Sequence, residues 1–353
     1  MKNKHENICL FIINTEFVLL VSLLYYYIHL KEKKNLKPIF IFIRASNLRF
    51  INIKQEFLPG ESHIYKNDLN ETVLFPDKEF LEVLKIENVN QIVYQNPQAF
   101  TNQCIINYFK TQNAKTKLTV VSDSIAMDRR FLTNFKEIFI AYSKFYYRKF
   151  INQIPFLTWK IWTYHSFKYM PDELIAHRNY NYPIFYNTKE LFSMIPQYFE
   201  EFSNIFNIDI DIYQKSDIIF FTQPNHLYTK YTKEVKEGYI SGVKHIFNLA
   251  KKNKKYIIVK VHPSESIDFY NSMANEFVYV DTNSNTPAEI ILNGLTNKKI
   301  VSYFSSISMY DIQKKNRHFW LYKTIGHQLP SNYEYDFITY VNKIEEIESF
   351  IFN

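Results

Sequence analysis

Glycine is scarce in this chain, with 5 in 353 residues. Neither GxGxxG nor GxxxxGK[ST] occurs, which excludes the ordinary dinucleotide-binding Rossmann enzymes and the P-loop NTPases. Cysteine is scarcer still. Cys9 and Cys104 both sit among apolar residues, as small core residues of a reducing compartment, and offer neither a disulfide framework nor a cysteine metal site. A dense basic stripe is missing too. The net charge of +7 is spread over interleaved Lys and Glu, which argues against nucleic-acid binding. It leaves room for an anionic substrate or a peripheral contact with a membrane surface.

A long unbroken hydrophobic run is also absent. The stretch Ile8 to Leu30 is interrupted by Asn14, Thr15 and Glu16, and a carboxylate in mid-span costs roughly 2.5 kcal/mol or more. The apolar run that follows, Phe17 to Ile28, is shorter than the ~20 residues a span needs. No small-residue cleavage site follows it. The pattern predicts a buried strand over Ile8 to Ile13 and a turn and cap at Asn14 and Thr15. A helix follows, with Glu16 in its first turn, where the macrodipole favours an acid. With no span or leader in this reading, a cytoplasmic protein is expected.

Hydrophobic residues make up 46% of the chain and charged residues 22%, a globular composition, and the length predicts two domains. Apolar runs recur at Pro38 to Arg44, Glu71 to Phe75, Gln91 to Gln95, Lys117 to Asp123 and Glu137 to Ser143. Others follow at Asp217 to Pro224, Tyr256 to Pro263, Phe277 to Asp281 and Lys299 to Ser305. Helical patterns lie between them, at Asp77 to Lys85, Ala99 to Lys110 and Lys233 to Lys252. Continuous rather than alternating apolar runs predict parallel strands covered on both faces, in two doubly wound α/β halves facing a central crevice. The expected boundaries are residues 1–190, residues 191–335 and a terminal segment 336–353. Val341, Ile344, Ile347 and Ile351 at helical spacing make that segment an amphipathic helix packed on the body. Residues 151–207 are read as helices and loops crossing between the halves, with a polar strand face at Ile208 to Tyr213.

Ligands of open α/β sheets bind beyond the carboxyl ends of strands. The residues to weigh are therefore Asp123, Thr222 to Pro224, His262, Ser305 and Ser306. Three second-half features come in a definite order: "KVHPSE" with His262 and Pro263, "NTPAEIILNG" with Pro287 and Glu289, and "VSYFSSIS" with Ser305 and Ser306. This order resembles the bacterial sialyltransferases and polysialyltransferases with HP and SS motifs, of the kind grouped in glycosyltransferase family 52. Thr15 matches the Thr that follows the first strand in those enzymes. The resemblance implies a GT-B fold and an inverting, metal-independent transfer of sialic acid, or a related acidic sugar, from a CMP-sugar. The implied acceptor is a surface glycan or glycolipid such as lipooligosaccharide or capsule.

The chemistry of the residues agrees. A departing CMP gathers negative charge on its phosphate, and preorganised donors such as His262, Ser305 and Ser306 suit it. Pro263 restricts the backbone of His262. Glu289 can accept both ribose hydroxyls, and Thr222 and Gln223 can contact base or sugar. The acceptor hydroxyl needs a base. The acidic-acidic-Gly motif of the resembled enzymes is replaced here by Ser122, Asp123 and Ser124, so Asp123 takes that role and Asp128 stands behind it. Taken singly, Glu289 is an ordinary first-turn acid and the serines are caps. Their shared order favours the functional reading. Two other readings remain open: a transferase using another nucleotide sugar, and a catalytically weakened GT-B partner in polysaccharide assembly.

Overall fold

The computed structural model describes residues 7–33, 35–44, 50, 52–66, 85–95, 100–122, 171–176, 182–223, 233–283, 286–311, 313–327 and 335–353. The predicted runs at Glu71 to Phe75 and Glu137 to Ser143 lie outside them. The chain divides into two compact units. One comprises Met1–Ile51 with Gln55–Met194, the other Asn52–Lys54 with Ile195–Asn353.

The described residues of the first unit form seven parallel strands: β1 (Asn7–Ile13), β2 (Leu36–Arg44), β3 (Glu61–Lys66), β4 (Val89–Gln95), β5 (Lys117–Val121), β6 (Glu173–Ala176) and β7 (Ile184–Asn187). Their order across the sheet is β3-β2-β1-β4-β5-β6-β7. Cys9 to Ile13 in β1 have no exposed surface, as a strand covered on both faces requires. Helix α1 (Glu16–Tyr25) follows at once. The Thr15 hydroxyl caps it by accepting the Val18 N–H at 3.2 Å, and the Glu16 carboxylate accepts the Phe50 N–H at 3.1 Å. A π-turn, Tyr26–Leu30, ends this helix. Helix α2 (Phe100–Gln112) packs on β4.

Glu173 is buried at the start of β6. It accepts hydrogen bonds from Tyr25 (2.6 Å), Thr119 (2.7 Å), Gln91 (3.2 Å) and Tyr186 (3.1 Å), and pairs with Lys117. Burial alone would raise its pKa. The bonds from Lys117, Tyr25 and Thr119 outweigh that and hold the carboxyl below its ordinary value. Strands β6 and β7 fall within the stretch expected to be helix and loop. A four-residue strand opening on a glutamate does not stand out as an apolar run.

Helix α3 (Thr188–Ser193) closes the first unit, and the second begins with the short helices α4 (Phe199–Phe206) and α5 (Ile210–Gln214). The expected strand face at Ile208 to Tyr213 is instead this helix. Asp209 caps it through the Asp211 N–H, because an Asp side chain competes well for the free N–H groups of a first turn. Six parallel strands follow: β8 (Ile218–Phe221), β9 (Ile257–Lys260), β10 (Val278–Asp281), β11 (Lys299–Ser302), β12 (Arg317–Trp320) and β13 (Ile338–Tyr340), in the order β10-β9-β8-β11-β12-β13. Helix α6 (Lys233–Asn253) joins β8 to β9 and buries Val235, Tyr239, Val243, Ile246, Phe247 and Ala250 against the sheet. Helices α7 (Ile267–Asn271) and α8 (Ala288–Asn293) follow β9 and β10. The terminal segment is not one helix. It supplies β13, a 3₁₀ turn at Ile344–Glu346 and a π-turn at Glu348–Phe352. The expected apolar face still packs: Val341, Ile347 and Ile351 are buried in the second core, with Ile344 beside it.

Both sheets run 3-2-1-4-5-6 from their third strand, the first with one strand more. The order reverses between β1 and β4 in one and between β8 and β11 in the other.

Candidate functional site

Reversal of strand order opens a crevice at the carboxyl end of a doubly wound sheet. In the second unit, the residues beside that point are those leaving β8 and β11, with those leaving β9 next to them. Thr222 and Gln223 leave β8 and are buried. His262, Pro263, Ser264 and Glu265 leave β9, and Tyr303 to Ser306 leave β11.

The three strand ends are tied together by hydrogen bonds. Thr222 Oγ1 accepts the His262 N–H at 2.8 Å and donates to Glu265 Oε2 at 2.5 Å. Glu265 Oε1 accepts from the Tyr270 hydroxyl at 2.8 Å, and that oxygen lies 2.8 Å from the Tyr239 hydroxyl. Burial, and then Glu265, push the Tyr270 phenol up, so it stays a protonated donor. Gln223 Oε1 accepts the Phe304 N–H at 2.6 Å, across the point where strand order reverses.

His262 is half-buried. Its Nδ1 accepts the Ser264 backbone N–H at 3.1 Å and lies 2.9 Å from the Ser264 hydroxyl. A backbone N–H only donates, so Nδ1 is an acceptor and the neutral ring carries its proton on Nε2. The Glu265 N–H donates to the His262 carbonyl at 2.9 Å, closing the turn through Pro263.

Ser305 caps the 3₁₀ turn Ser306–Tyr310, its hydroxyl accepting the Ile307 N–H at 3.3 Å. Ser306 is exposed at the start of that turn. The turn packs on α8: Asn293 donates to the Tyr310 carbonyl at 3.2 Å and to the Glu289 carbonyl at 2.8 Å. Glu289 sits in the first turn of α8, surrounded by protein but keeping some accessible surface. Desolvation pushes its carboxyl up to about 7, against the pull of the Lys260 ammonium. Lys260 itself is buried at the end of β9. It donates to the Asn283 carbonyl at 2.6 Å and stands 3.8 Å from Asp281.

The fold thus gathers Thr222, Gln223, His262, Pro263, Ser305 and Ser306 along one edge of the second sheet, with Glu289 on a helix packed against the serine turn. Thr15 belongs to the first unit and caps α1. Asp123 and Asp128 lie outside the described residues. Sequence reasoning passed over Glu265, Ser264, Tyr270, Tyr239 and Lys260. Glu265 carried one signal, its place two residues after His-Pro. No group of His, Cys, Asp or Glu among the described residues is arranged to hold a metal ion, and no helix among them is long and apolar enough to cross a membrane.

No protein-family model and no curated protein matches the chain. Solved structures do. A crystal structure of a protein assigned as a UDP-N-acetylglucosamine 2-epimerase, from Listeria monocytogenes, is similar over 89% of this chain and 79% of its own, at 9% identity and a TM-score of 0.51. The fold is GT-B. This agrees with the expected pair of Rossmann-like domains. Two more GT-B likenesses have lower TM-scores. A variant of the wall teichoic acid polymerase TagF covers 97% of this chain and 79% of its own at 11% identity, TM-score 0.47. The E. coli heptosyltransferase WaaC, solved with an ADP-heptose analogue, covers 96% of both chains at 11% identity, TM-score 0.42.

Proposed function

We propose that this chain is an inverting glycosyltransferase that moves sialic acid, or a related acidic sugar, from a CMP-sugar to a surface glycan such as lipooligosaccharide or capsule. One observation carries the reading. The His-Pro turn and the serine turn flank the point where strand order reverses in the second sheet, and the helix bearing Glu289 packs on the serine turn. In the proposed reaction His262 donates from Nε2 to the leaving phosphate, and Ser305 and Ser306 donate to its oxygens. Glu289 accepts the ribose hydroxyls. Asp123 removes the proton from the acceptor hydroxyl, which attacks the anomeric carbon as the bond to CMP breaks. The transfer as proposed needs no metal. It takes place in the cytoplasm, with the glycolipid acceptor reached by peripheral contact with the inner membrane.

The test is thermal unfolding with CMP, UDP, GDP and ADP. A ligand at about 100 times its Kd stabilises by about 2.7 kcal/mol. CMP alone is expected to raise the midpoint, with the rise lost in His262→Ala and Glu289→Ala. Asp123→Ala is expected to keep the rise and lose transfer. A response to UDP, GDP or ADP in place of CMP replaces the donor, and no response to any of the four overturns the donor site.

A further inference from the structure

A carboxylate two residues from His-Pro is out of place beside a site proposed for a phosphate, unless its charge is committed elsewhere. Glu265 is committed. Its two oxygens accept hydrogen bonds from the Thr222 and Tyr270 hydroxyls. A threonine hydroxyl has one proton and two lone pairs. With the O–H of Thr222 donated to Glu265, a lone pair of the same oxygen is left to receive the His262 N–H at 2.8 Å. Glu265 also holds His262 directly, through its own N–H to the His262 carbonyl. The His262 N–H is thus held by Thr222, which the Glu265 side chain orients, and the His262 carbonyl by the Glu265 backbone.

We propose that Glu265 is a positioning residue for His262. It orients the Thr222 hydroxyl and closes the Pro263–Ser264 turn, so that the Ser264 N–H meets Nδ1 and the ring presents its proton on Nε2. Tyr270 and Tyr239 brace Glu265 from helices α7 and α6. Glu265 does not touch the donor in this account. The assignment rests on the proposed role of His262, but its structural half can be read without any nucleotide.

The experiment records the ring-nitrogen NMR signals of His262, assigned by their loss in His262→Asn, and titrates CMP in parallel. The variants are Glu265→Ala, Thr222→Val, Thr222→Ser and Tyr270→Phe, each checked for folding by circular dichroism. Wild type and Thr222→Ser are expected to show Nδ1 unprotonated and Nε2 protonated. Glu265→Ala and Thr222→Val are expected to show averaged tautomers and CMP binding weakened about tenfold, with Tyr270→Phe in between. Unchanged His262 signals in both Glu265→Ala and Thr222→Val overturn the assignment, even if those variants are less heat-stable. If the signals change as expected while wild type ignores CMP, Glu265 is a positioning residue and the CMP reading falls. If CMP binding depends on His262 but not on Glu265 or Thr222, the CMP reading stands and this assignment falls.

Discussion

Glu289 makes stability depend on pH, and in the proposed function it ties donor binding to the same titration. Its folded pKa of about 7 lies above its ordinary 4.5 because burial disfavours the charge. The stabilisation is fully present below about 4.5, where both states are protonated, and is lost as pH rises through about 7. The thermal midpoint is therefore expected to fall from pH 5 to pH 8 more steeply in wild type than in Glu289→Gln. CMP binding is expected to run the other way, tightening over that range, because the ionised carboxylate accepts ribose hydroxyls better. Thr15 calls for a plainer measurement. Its hydroxyl caps α1, so Thr15→Ala is expected to cost about 1 kcal/mol in urea unfolding. At this scale the sequence showed which residues reach the sheet edge, because a strand end before Pro or Ser is a local pattern. It did not show what each hydroxyl does. Thr222 and Glu265 are joined by a bond across 43 positions, and no local pattern records such a bond.

Helix α6 and the chain leaving β11 meet at one tight place. A Cβ on Gly242 would come within 1.8 Å of the Tyr303 hydroxyl, whose side chain is fully buried. Gly to Ala inside a helix ordinarily gains about 0.5–1 kcal/mol. Here the clash is expected to win, and Gly242→Ala to destabilise by about 1–3 kcal/mol. Tyr303→Phe removes the offending oxygen, so the double variant is expected to recover most of that loss in a double-mutant cycle. Elements buried on both faces were legible as apolar runs, from β1 to β11, wherever the run was long or β-branched. Strands β3, β6, β7, β12 and β13 were not. They have three to six residues and carry groups such as Glu173 and His318, buried only because a hydrogen-bond partner meets them: Tyr25 and its neighbours for Glu173, Asp311 for His318. The terminal segment shows the reverse case. Its apolar spacing named the buried face, while the backbone reached that face through 3₁₀ and π turns.

Two compact units make two thermodynamic bodies, and multi-domain proteins depart from two-state unfolding. Calorimetry is expected to resolve two transitions. Glu173→Ala leaves the buried Tyr25 and Thr119 hydroxyls without their acceptor and should lower the first unit's transition, by about 1–3 kcal/mol of stability. Gly242→Ala should lower only the second, and CMP should raise only the second. The pair of doubly wound halves was legible because α/β alternation occurs twice in the chain, while GT-B itself was what the resemblance of the His-Pro and serine motifs implied. The division itself was less so, since Asn52–Lys54 belongs to the second unit. That small segment bonds through Lys54 to the Ile205 carbonyl and through Asn52 to Asn283. Its partners lie roughly 150 to 230 residues further along the chain. At about 5–20 residues per second of synthesis, Asn52 leaves the ribosome on the order of ten seconds or more before Asn283 exists. The first sheet can form in that interval while residues 52–54, in the connection between β2 and β3, wait for their partners in the second unit.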